Sequence, residues 1–264
     1  MSDEQEFSFR TDFGGFPFLS DRFNASRLLA AVAVRRAKQL SATGQEARIS
    51  NQQDLVALLS PDRALEVRAT ETKHNRQDIQ HYALGPQQRE QVRHAQTRIV
   101  AAVPAWKQLI ELPLTVLGLA GSPAISASSF AYPQHIFLAS EAFATEEELM
   151  EQVLHETSHN WLYLIGEIWA LQNARSQSLL TLPSGTADRE PGEVLGATHV
   201  VRNLIRLYEN LPETSVTGLR LRELWDYYRG CEELIDQVRP ELTSVGKELE
   251  EDLRQRLYEE QPYV

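Results

Sequence analysis

The chain has 264 residues, 42% hydrophobic and 24% charged, which is an ordinary composition for a soluble globular protein with a substantial core. Its formal net charge of −11 argues against nucleic acid or an anionic membrane surface as the main partner. The single cysteine, Cys231, rules out an intrachain disulfide and a cysteine-based zinc cluster. The acidic N-terminus does not resemble a signal peptide, and no apolar stretch approaches the length of a membrane span. We therefore expect a cytoplasmic protein.

The N-terminal part of the chain is predicted to be helical after an irregular arm. The arm, residues 1–20, contains five phenylalanines that we expect to pack on the protein's own core, with a partner-docking segment as the alternative. Good helix formers follow at residues 24–38. Further helices are predicted from Ser50, a candidate N-cap, to residue 59, and over residues 86–106, with Pro104 bending or splitting the second one.

Short apolar segments then replace the helical pattern. Residues 112–119, 125–130 and 135–139 are predicted to form three short strands. The turn signal Gly121-Ser-Pro-Ala separates the first two. The sequence therefore predicts a small sheet directly before the next helix.

Residues 155–159, His-Glu-Thr-Ser-His, form an HExxH motif inside this next predicted helix. Thr145 with Glu148 is a capping-box pattern, so we expect the helix to run from about Glu146 to about Leu171. Histidines four residues apart lie on one helix face, from which both imidazoles can bind one metal ion. The alternative is a charged, exposed turn without metal. Four further histidines have no metal-binding spacing: His74, His81, His94 and His135.

The C-terminal segments are again predicted to be helical. A loop rich in Ser, Thr, Gly and Pro covers residues 175–189, and helices follow at residues 191–211, 218–238 and 240–259. The aromatic residues around Cys231 indicate that this segment packs in the core. No histidine is placed by the sequence to activate the thiol, so a nucleophilic role for Cys231 is not predicted.

These elements predict an α+β, mainly helical fold in a single domain over residues 1–264. The domain would have a helical N-terminal part, residues 1–110, and a metal-site part, residues 111–264. We expect a zincin-like arrangement, in which a small sheet is followed by the HExxH helix and then by a helix that carries the third metal ligand.

The predicted helix at residues 191–211 offers two candidates for that third ligand. Glu193 falls on the same face as Ala197 and Val201, and a carboxylate on a buried stripe is costly unless it is paired or binds a metal. His199 lies about a third of a turn away. The alternative for Glu193 is a first-turn acid that interacts favourably with the helix dipole. The alternative for His199 is a histidine on the protein surface.

Two chemistries fit two histidines and a carboxylate. With zinc, the site resembles that of gluzincin peptidases, and Glu156 would be the general base that deprotonates a zinc-bound water. The strand at residues 135–139 would then pair with an extended substrate, as zincin edge strands do.

With Fe(II), the same ligands leave three positions open for 2-oxoglutarate and oxygen. The distal carboxylate of 2-oxoglutarate also needs a cation, ideally an arginine. His199, Arg202 and Arg206, on the third-ligand helix, are the candidate cosubstrate-binding residues. Solvated helix arginines are the alternative for Arg202 and Arg206.

Residues 114–208 contain short apolar strands, Pro133-Gln-His-Ile-Phe-Leu, an acidic helix start, Leu154-His-Glu-Thr-Ser-His and Pro191-Gly-Glu-Val-Leu-Gly-Ala-Thr. Together these features resemble the HExxH peptide-modification family of pathways that modify ribosomally made peptides. Members of that family often carry a histidine at the position of Gly196.

The resemblance implies an Fe(II)- and 2-oxoglutarate-dependent oxygenase that hydroxylates, at the β-carbon, residues of a precursor peptide. A partner maturation enzyme is also implied, since some members are fused to radical-SAM enzymes. In such an enzyme Glu156 would orient a ligand by hydrogen bonding and would not act as a base. A zinc peptidase and a non-catalytic HExxH module remain the alternatives.

Overall fold

The computed structural model describes residues 7–45, 47–71 and 79–260, and it confirms a mainly helical α+β fold with one small mixed sheet. Within these residues no helix combines the length and the apolar character needed to cross a membrane. The helices and strands are α1 (Phe9–Phe13), α2 (Ala25–Ala42), α3 (Gln52–Leu58), α4 (Pro61–Glu71), β1 (His81–Ala83), α5 (Pro86–Ala102), α6 (Lys107–Ile110), β2 (Thr115–Leu119), β3 (Ser126–Ser129), β4 (Tyr132–Leu138), α7 (Glu146–Gly166), α8 (Pro191–Glu209), α9 (Ser215–Val238) and α10 (Ser244–Glu260).

The chain divides into two compact units. The central unit is Ser26–Ile168, and it contains the sheet and α7. The terminal unit consists of Met1–Ala25 and Trp169–Val264, and it contains the N-terminal arm and helices α8 to α10. Residue 110, the expected limit of the helical N-terminal part, lies inside the central unit.

The sheet of the central unit has the strand order β1-β2-β4-β3. Strands β2 and β4 are parallel, whereas β1 pairs antiparallel with β2 and β3 pairs antiparallel with β4. The expectation that residues 135–139 form the edge strand is therefore wrong. The apolar run Ile136-Phe-Leu in β4 is buried and favours an interior strand, while the polar β3, Ser-Ala-Ser-Ser, occupies the edge.

Helix α7 packs against β3, β4 and α5. Its apolar side includes Trp161, whose indole N–H donates a hydrogen bond to the carbonyl oxygen of Leu109 at 2.9 Å. Because this large ring is fully buried and its one donor is satisfied, it fixes the rotation of α7 about its axis. That rotation determines which residues of the HExxH motif face solvent.

A buried arginine holds the C-terminal end of α7. The guanidinium of Arg36 is fully buried and binds the carboxylate of Glu167 through two hydrogen bonds, at 2.9 Å and 2.6 Å. It also donates to Leu58 O at 3.1 Å and to Gln134 Oε1 at 2.7 Å. These contacts join α2, α3 and β4 to the residue that follows α7, so one side chain stabilises the packing of four segments.

The terminal unit is built on α8, which packs against α9 and α10. The N-terminal arm is bound to α10. Glu248 of α10 accepts hydrogen bonds from Ser8 Oγ and from the backbone N–H groups of Phe9 and Arg10 in the arm. The arm's side chains at Phe9 and Phe16 are fully buried, and their rings stack at 4.6 Å. For the described part of the arm, residues 7–20, the expected packing on the protein's own core is confirmed at Phe9, Phe13, Phe16 and Phe18, whereas Phe7 is 39% exposed.

Several helix boundaries differ from the sequence expectation. Asn51, and not Ser50, caps α3 by accepting a hydrogen bond from the backbone N–H of Asp54. Helix α4 was not predicted; it begins at Pro61, because proline suits the first helical position. Strand β1 was not expected, and His74 lies outside the described residues.

Candidate metal site on helix α7

Helix α7 presents the two histidines of the HExxH motif side by side. The helix begins where Thr145 accepts a hydrogen bond from the backbone N–H of Glu148, and the acidic first turn suits the positive end of the helix dipole. The ring centroids of His155 and His159 lie 4.9 Å apart, and both side chains are partly exposed. Two accessible imidazoles one turn apart can bind one transition-metal ion.

The remaining polar residues of this stretch are buried and hydrogen-bonded. Thr157 and Ser158 each donate to the carbonyl oxygen four residues earlier, at 2.7 Å and 2.8 Å. Asn160 Nδ2 donates to the carbonyl oxygen of His135 on β4 at 3.3 Å. A charged, exposed turn is therefore excluded as the structure of the motif.

Glu156 faces away from solvent, toward the sheet. Its residue exposure is 3%, and its Oε1 lies 2.5 Å from the Oγ of Ser126 on β3. The same oxygen lies 3.9 Å from His155 Nε2. The carboxylate is therefore close to the histidine pair while it is held by a donor from the edge strand.

Helix α7 supplies two ligands that fit a metal ion, the imidazoles of His155 and His159. A catalytic site commonly adds a third protein ligand, yet residues 7–45, 47–71 and 79–260 contain no group of three His, Cys, Asp or Glu side chains that could hold a metal ion. His135 is buried, and its Nδ1 lies 2.9 Å from Pro133 O. Burial lowers the pKa of His135, which keeps its ring neutral within the core.

Glu193 occupies an exposed first-turn position of α8 in the terminal unit. Its Oε2 accepts a hydrogen bond from the backbone N–H of Glu190 at 2.9 Å, and its Oε1 accepts one from Arg189 Nη1 at 2.6 Å. The side chain is 47% exposed, so the expectation that it lies on the buried stripe is wrong. Its contacts are those of a capping residue, and its role as a metal ligand remains a prediction.

The predicted cosubstrate-binding residues His199 and Arg206 contact the N-terminal arm. His199 is fully buried, with Nε2 lying 2.8 Å from Pro17 O. Arg206 donates to Phe18 O at 3.0 Å and to Asp21 Oδ1 at 2.9 Å. Within the terminal unit these two side chains tie α8 to the arm. The alternative of a surface histidine is wrong for His199, and binding of a cosubstrate by either residue remains a prediction.

Arg202 is also buried, with 2% exposure, and its guanidinium carbon lies 5.7 Å from the ring centroid of Trp225. The alternative of a solvated arginine is therefore wrong at this position. Its role toward 2-oxoglutarate is likewise still a prediction.

Two titratable groups of the terminal unit show the effect of burial. Burial lowers the pKa of His199 to about 4, against the opposing effect of its hydrogen bond to Pro17, so the ring is neutral at pH 7. Burial raises the pKa of the Cys231 thiol to about 11. The thiolate is thus disfavoured, which agrees with the predicted core role of Cys231.

Two features near the histidine pair were not found from the sequence. Ser126 contacts Glu156 across 30 positions of chain, and no local pattern indicates such a pairing. Tyr163 stacks on His159, with ring centroids 6.0 Å apart and planes 13° apart. The spacing of four residues between His159 and Tyr163 was the available signal for this second contact.

The chain matches no protein-family model, and comparison with curated proteins finds no match.

Proposed function

We propose that this chain is an Fe(II)- and 2-oxoglutarate-dependent oxygenase that hydroxylates a residue of a ribosomal precursor peptide, at its β-carbon. The family resemblance of residues 114–208 motivates the reaction class. Within the site, the observation that supports an oxygenase over a peptidase is the environment of Glu156. A partner maturation enzyme and a cytoplasmic location belong to the same proposal.

The surroundings of Glu156 suit a residue that orients a metal ligand better than they suit a general base that deprotonates a metal-bound water. A general base must reach the proton that it removes and must exchange it afterwards. The carboxylate of Glu156 is nearly inaccessible, and it is held by Ser126. Such a contact supports a role in which Glu156 fixes the electrostatic surroundings of the metal, as partners of metal ligands do.

The peptide would bind along β3. This strand pairs only with β4 among the described residues, and its half-buried residues carry small side chains. An extended peptide can add to such an edge through main-chain hydrogen bonds. Since α7 packs against β3, a peptide at this edge would lie beside the helix that carries both histidines, in the arrangement of zincins.

His155 and His159 would hold the metal, and Glu156 would orient a ligand of the metal by hydrogen bonding. Bound Fe(II) with 2-oxoglutarate and O₂ would supply the oxidant that places one oxygen atom in a C–H bond, with succinate and CO₂ as coproducts. Glu193, as third ligand, would have to leave the backbone of Glu190 and the guanidinium of Arg189. His199, Arg202 and Arg206 remain the proposed cosubstrate residues.

A zinc-dependent peptidase is the second candidate, and one distance favours it. Glu156 Oε1 lies 3.9 Å from His155 Nε2, so the carboxylate is close enough to the histidine pair to reach a water on the metal. In that reaction Glu156 would take the proton of the attacking water, and no cosubstrate would be consumed.

The two candidates differ in what they consume. Metal-free protein is loaded with either Fe(II) or Zn(II) and incubated in air with a mixed peptide library, each sample with and without 2-oxoglutarate. The oxygenase forms succinate with Fe(II) and adds the mass of one oxygen to a peptide. Peptide cleavage with Zn(II), in the absence of 2-oxoglutarate and without succinate in the Fe(II) sample, would contradict the proposal.

A further inference from the structure

Three polar side chains that end at Glu156 follow one another along one face of α7. Glu148, Gln152 and Glu156 are spaced by four residues, so their side chains follow one another on the helix surface. Gln152 Nε2 donates to Glu148 Oε1 at 2.7 Å. The gap between Gln152 and Glu156 is bridged by a residue from outside the helix, Ser126.

Ser126 belongs to the edge strand β3, and its hydroxyl contacts two groups of α7. Its Oγ lies 2.5 Å from Glu156 Oε1 and 2.6 Å from Gln152 Oε1. A serine hydroxyl has one hydrogen to donate, so it can serve one of these oxygens at a time. Whichever oxygen accepts this hydrogen, the hydrogen bond ties the strand to the helix at the turn that carries the motif.

Ser126 supplies the hydrogen bond that the Glu156 side chain makes within the described part of the chain. Because Glu156 is 3% exposed, water can replace a lost donor only at the cost of opening the packing between α7 and β3. The direction of the carboxylate therefore depends on the strand and not on the helix that bears it. His155 Nε2, at 3.9 Å, is the histidine atom whose surroundings change if that direction changes.

We infer that Ser126 is a positioning residue of the metal site, which acts through Glu156. The inference rests on the proposed function in so far as it assumes a metal at His155 and His159. It adds that the strand proposed to bind the peptide also sets the orientation of the motif glutamate. In this assignment Ser126 is not a ligand of the metal, and it influences the site through its hydrogen bond to Glu156.

Cobalt provides a test that does not require the peptide substrate. Co(II) is titrated into metal-free protein, and its visible absorption reports the geometry of the ion and its affinity. Ser126→Ala is expected to change the spectrum at saturating Co(II) and to weaken binding by up to about 10-fold, since loss of an outer-shell group, the place that Glu156 itself takes here, commonly costs about 10- to 100-fold. Ser126→Thr keeps the hydroxyl and suits a strand, so it should stay close to wild type.

Ser128→Ala is the matched control on the same strand. The Oγ of Ser128 is buried and makes no hydrogen bond to the described residues, so its removal should leave Co(II) binding unchanged. Thermal unfolding of the metal-free variants is measured alongside, because a purely structural role would change stability and leave the spectrum at saturating Co(II) as in wild type.

A double-mutant cycle identifies the residue through which Ser126 acts. In a Glu156→Ala background, Ser126→Ala should have no further effect on Co(II) affinity or spectrum. Wild-type Co(II) binding by Ser126→Ala, or the full effect of Ser126→Ala without Glu156, would overturn the inference.

The same titration separates this inference from the proposed function. If wild type binds Co(II) but forms no succinate with Fe(II), the oxygenase proposal fails and Ser126 is still judged by its cobalt spectrum. If wild type binds Co(II) and Ser126→Ala binds it equally, the positioning role fails alone. If wild type binds no Co(II), both are contradicted.

Discussion

His155 and Glu156 are neighbours in the chain with opposite surroundings, although His155 Nε2 and Glu156 Oε1 are only 3.9 Å apart. The His155 side chain is 36% exposed, whereas the Glu156 side chain is 4% exposed. The helix produces this contrast because successive residues differ by 100° in direction, and the sheet covers one side of α7. A metal on the open side would therefore be approached by its ligands from the solvent face and by Glu156 from the buried face.

Glu156→Gln separates the two proposed reactions. The amide is close to isosteric and can still accept the Ser126 hydrogen bond, but it cannot act as a general base. For the oxygenase we expect succinate formation from 2-oxoglutarate to stay within about 10-fold of wild type, whereas loss of a general base typically costs about 10²- to 10⁴-fold. A loss of the larger size, together with zinc-dependent cleavage by wild type, would contradict the oxygenase.

Glu193 has two possible roles that two substitutions distinguish. Glu193→Ala removes the acceptor for the Glu190 backbone N–H, and we expect about 0.3–1.5 kcal/mol lower stability in urea unfolding. Glu193→Gln keeps a capping-box side chain, so its stability should remain near that of wild type. If Glu193 is the third ligand, Glu193→Gln nevertheless weakens Fe(II) binding; wild-type affinity in this variant would overturn that assignment.

His199 should make the terminal unit sensitive to acid. Its pKa is 6.5 in the unfolded chain and about 4 in the folded protein, so between these pH values the unfolded state binds more protons. The free energy of unfolding is therefore expected to fall as the pH drops from about 6.5 to about 4, by about 3 kcal/mol in total from this residue.

The measurement is urea unfolding at pH 7, 6, 5 and 4. His199→Gln can still donate to Pro17 O, and its stability should depend less on pH than that of wild type. The exposed His94, which contacts Glu146, provides the control His94→Gln, which should keep the wild-type slope. An unchanged slope in His199→Gln would contradict the burial argument.

Arg36 should be critical for the central unit. Arg36→Met leaves Glu167 without its bidentate partner in a nearly inaccessible place, and we expect a loss of about 3–5 kcal/mol. The matched control is Arg63→Met, which removes an exposed pair with Glu66 and should change stability by less than about 1 kcal/mol. Unfolding of Arg36→Met within 1 kcal/mol of wild type would refute this role.

The main helices were predictable because their signals are local. Thr145 and Pro191 mark the starts of α7 and α8, and both helices carry a clear apolar period. The histidine pair follows directly from helical spacing, which is why the structure places both rings as expected. α4 was missed because its composition is polar and carries no clear apolar period after Pro61.

The rest of the candidate site depends on contacts between distant segments. Ser126 meets Glu156 only because β3 lies at the sheet edge beside α7, and a strand of small polar residues gives no sign of its neighbours. Glu193 was misplaced because its Arg189 and Glu190 contacts decide its exposure, whereas the periodicity argument considered only the direction of its side chain. The burial of His199 could not be predicted from its helix alone, because the arm that covers it comes from the opposite end of the chain.

The most direct measurement of the central claim is made without oxygen. Metal-free protein is loaded with Fe(II), 2-oxoglutarate is added, and the visible difference spectrum is recorded for wild type, His155→Ala, His159→Ala and the control His94→Ala. We predict a weak charge-transfer band that requires both additions, is present in wild type and His94→Ala, and is absent when either motif histidine is replaced. No band in wild type, with zinc retained tightly from purification, would contradict the account and assign the site to hydrolysis.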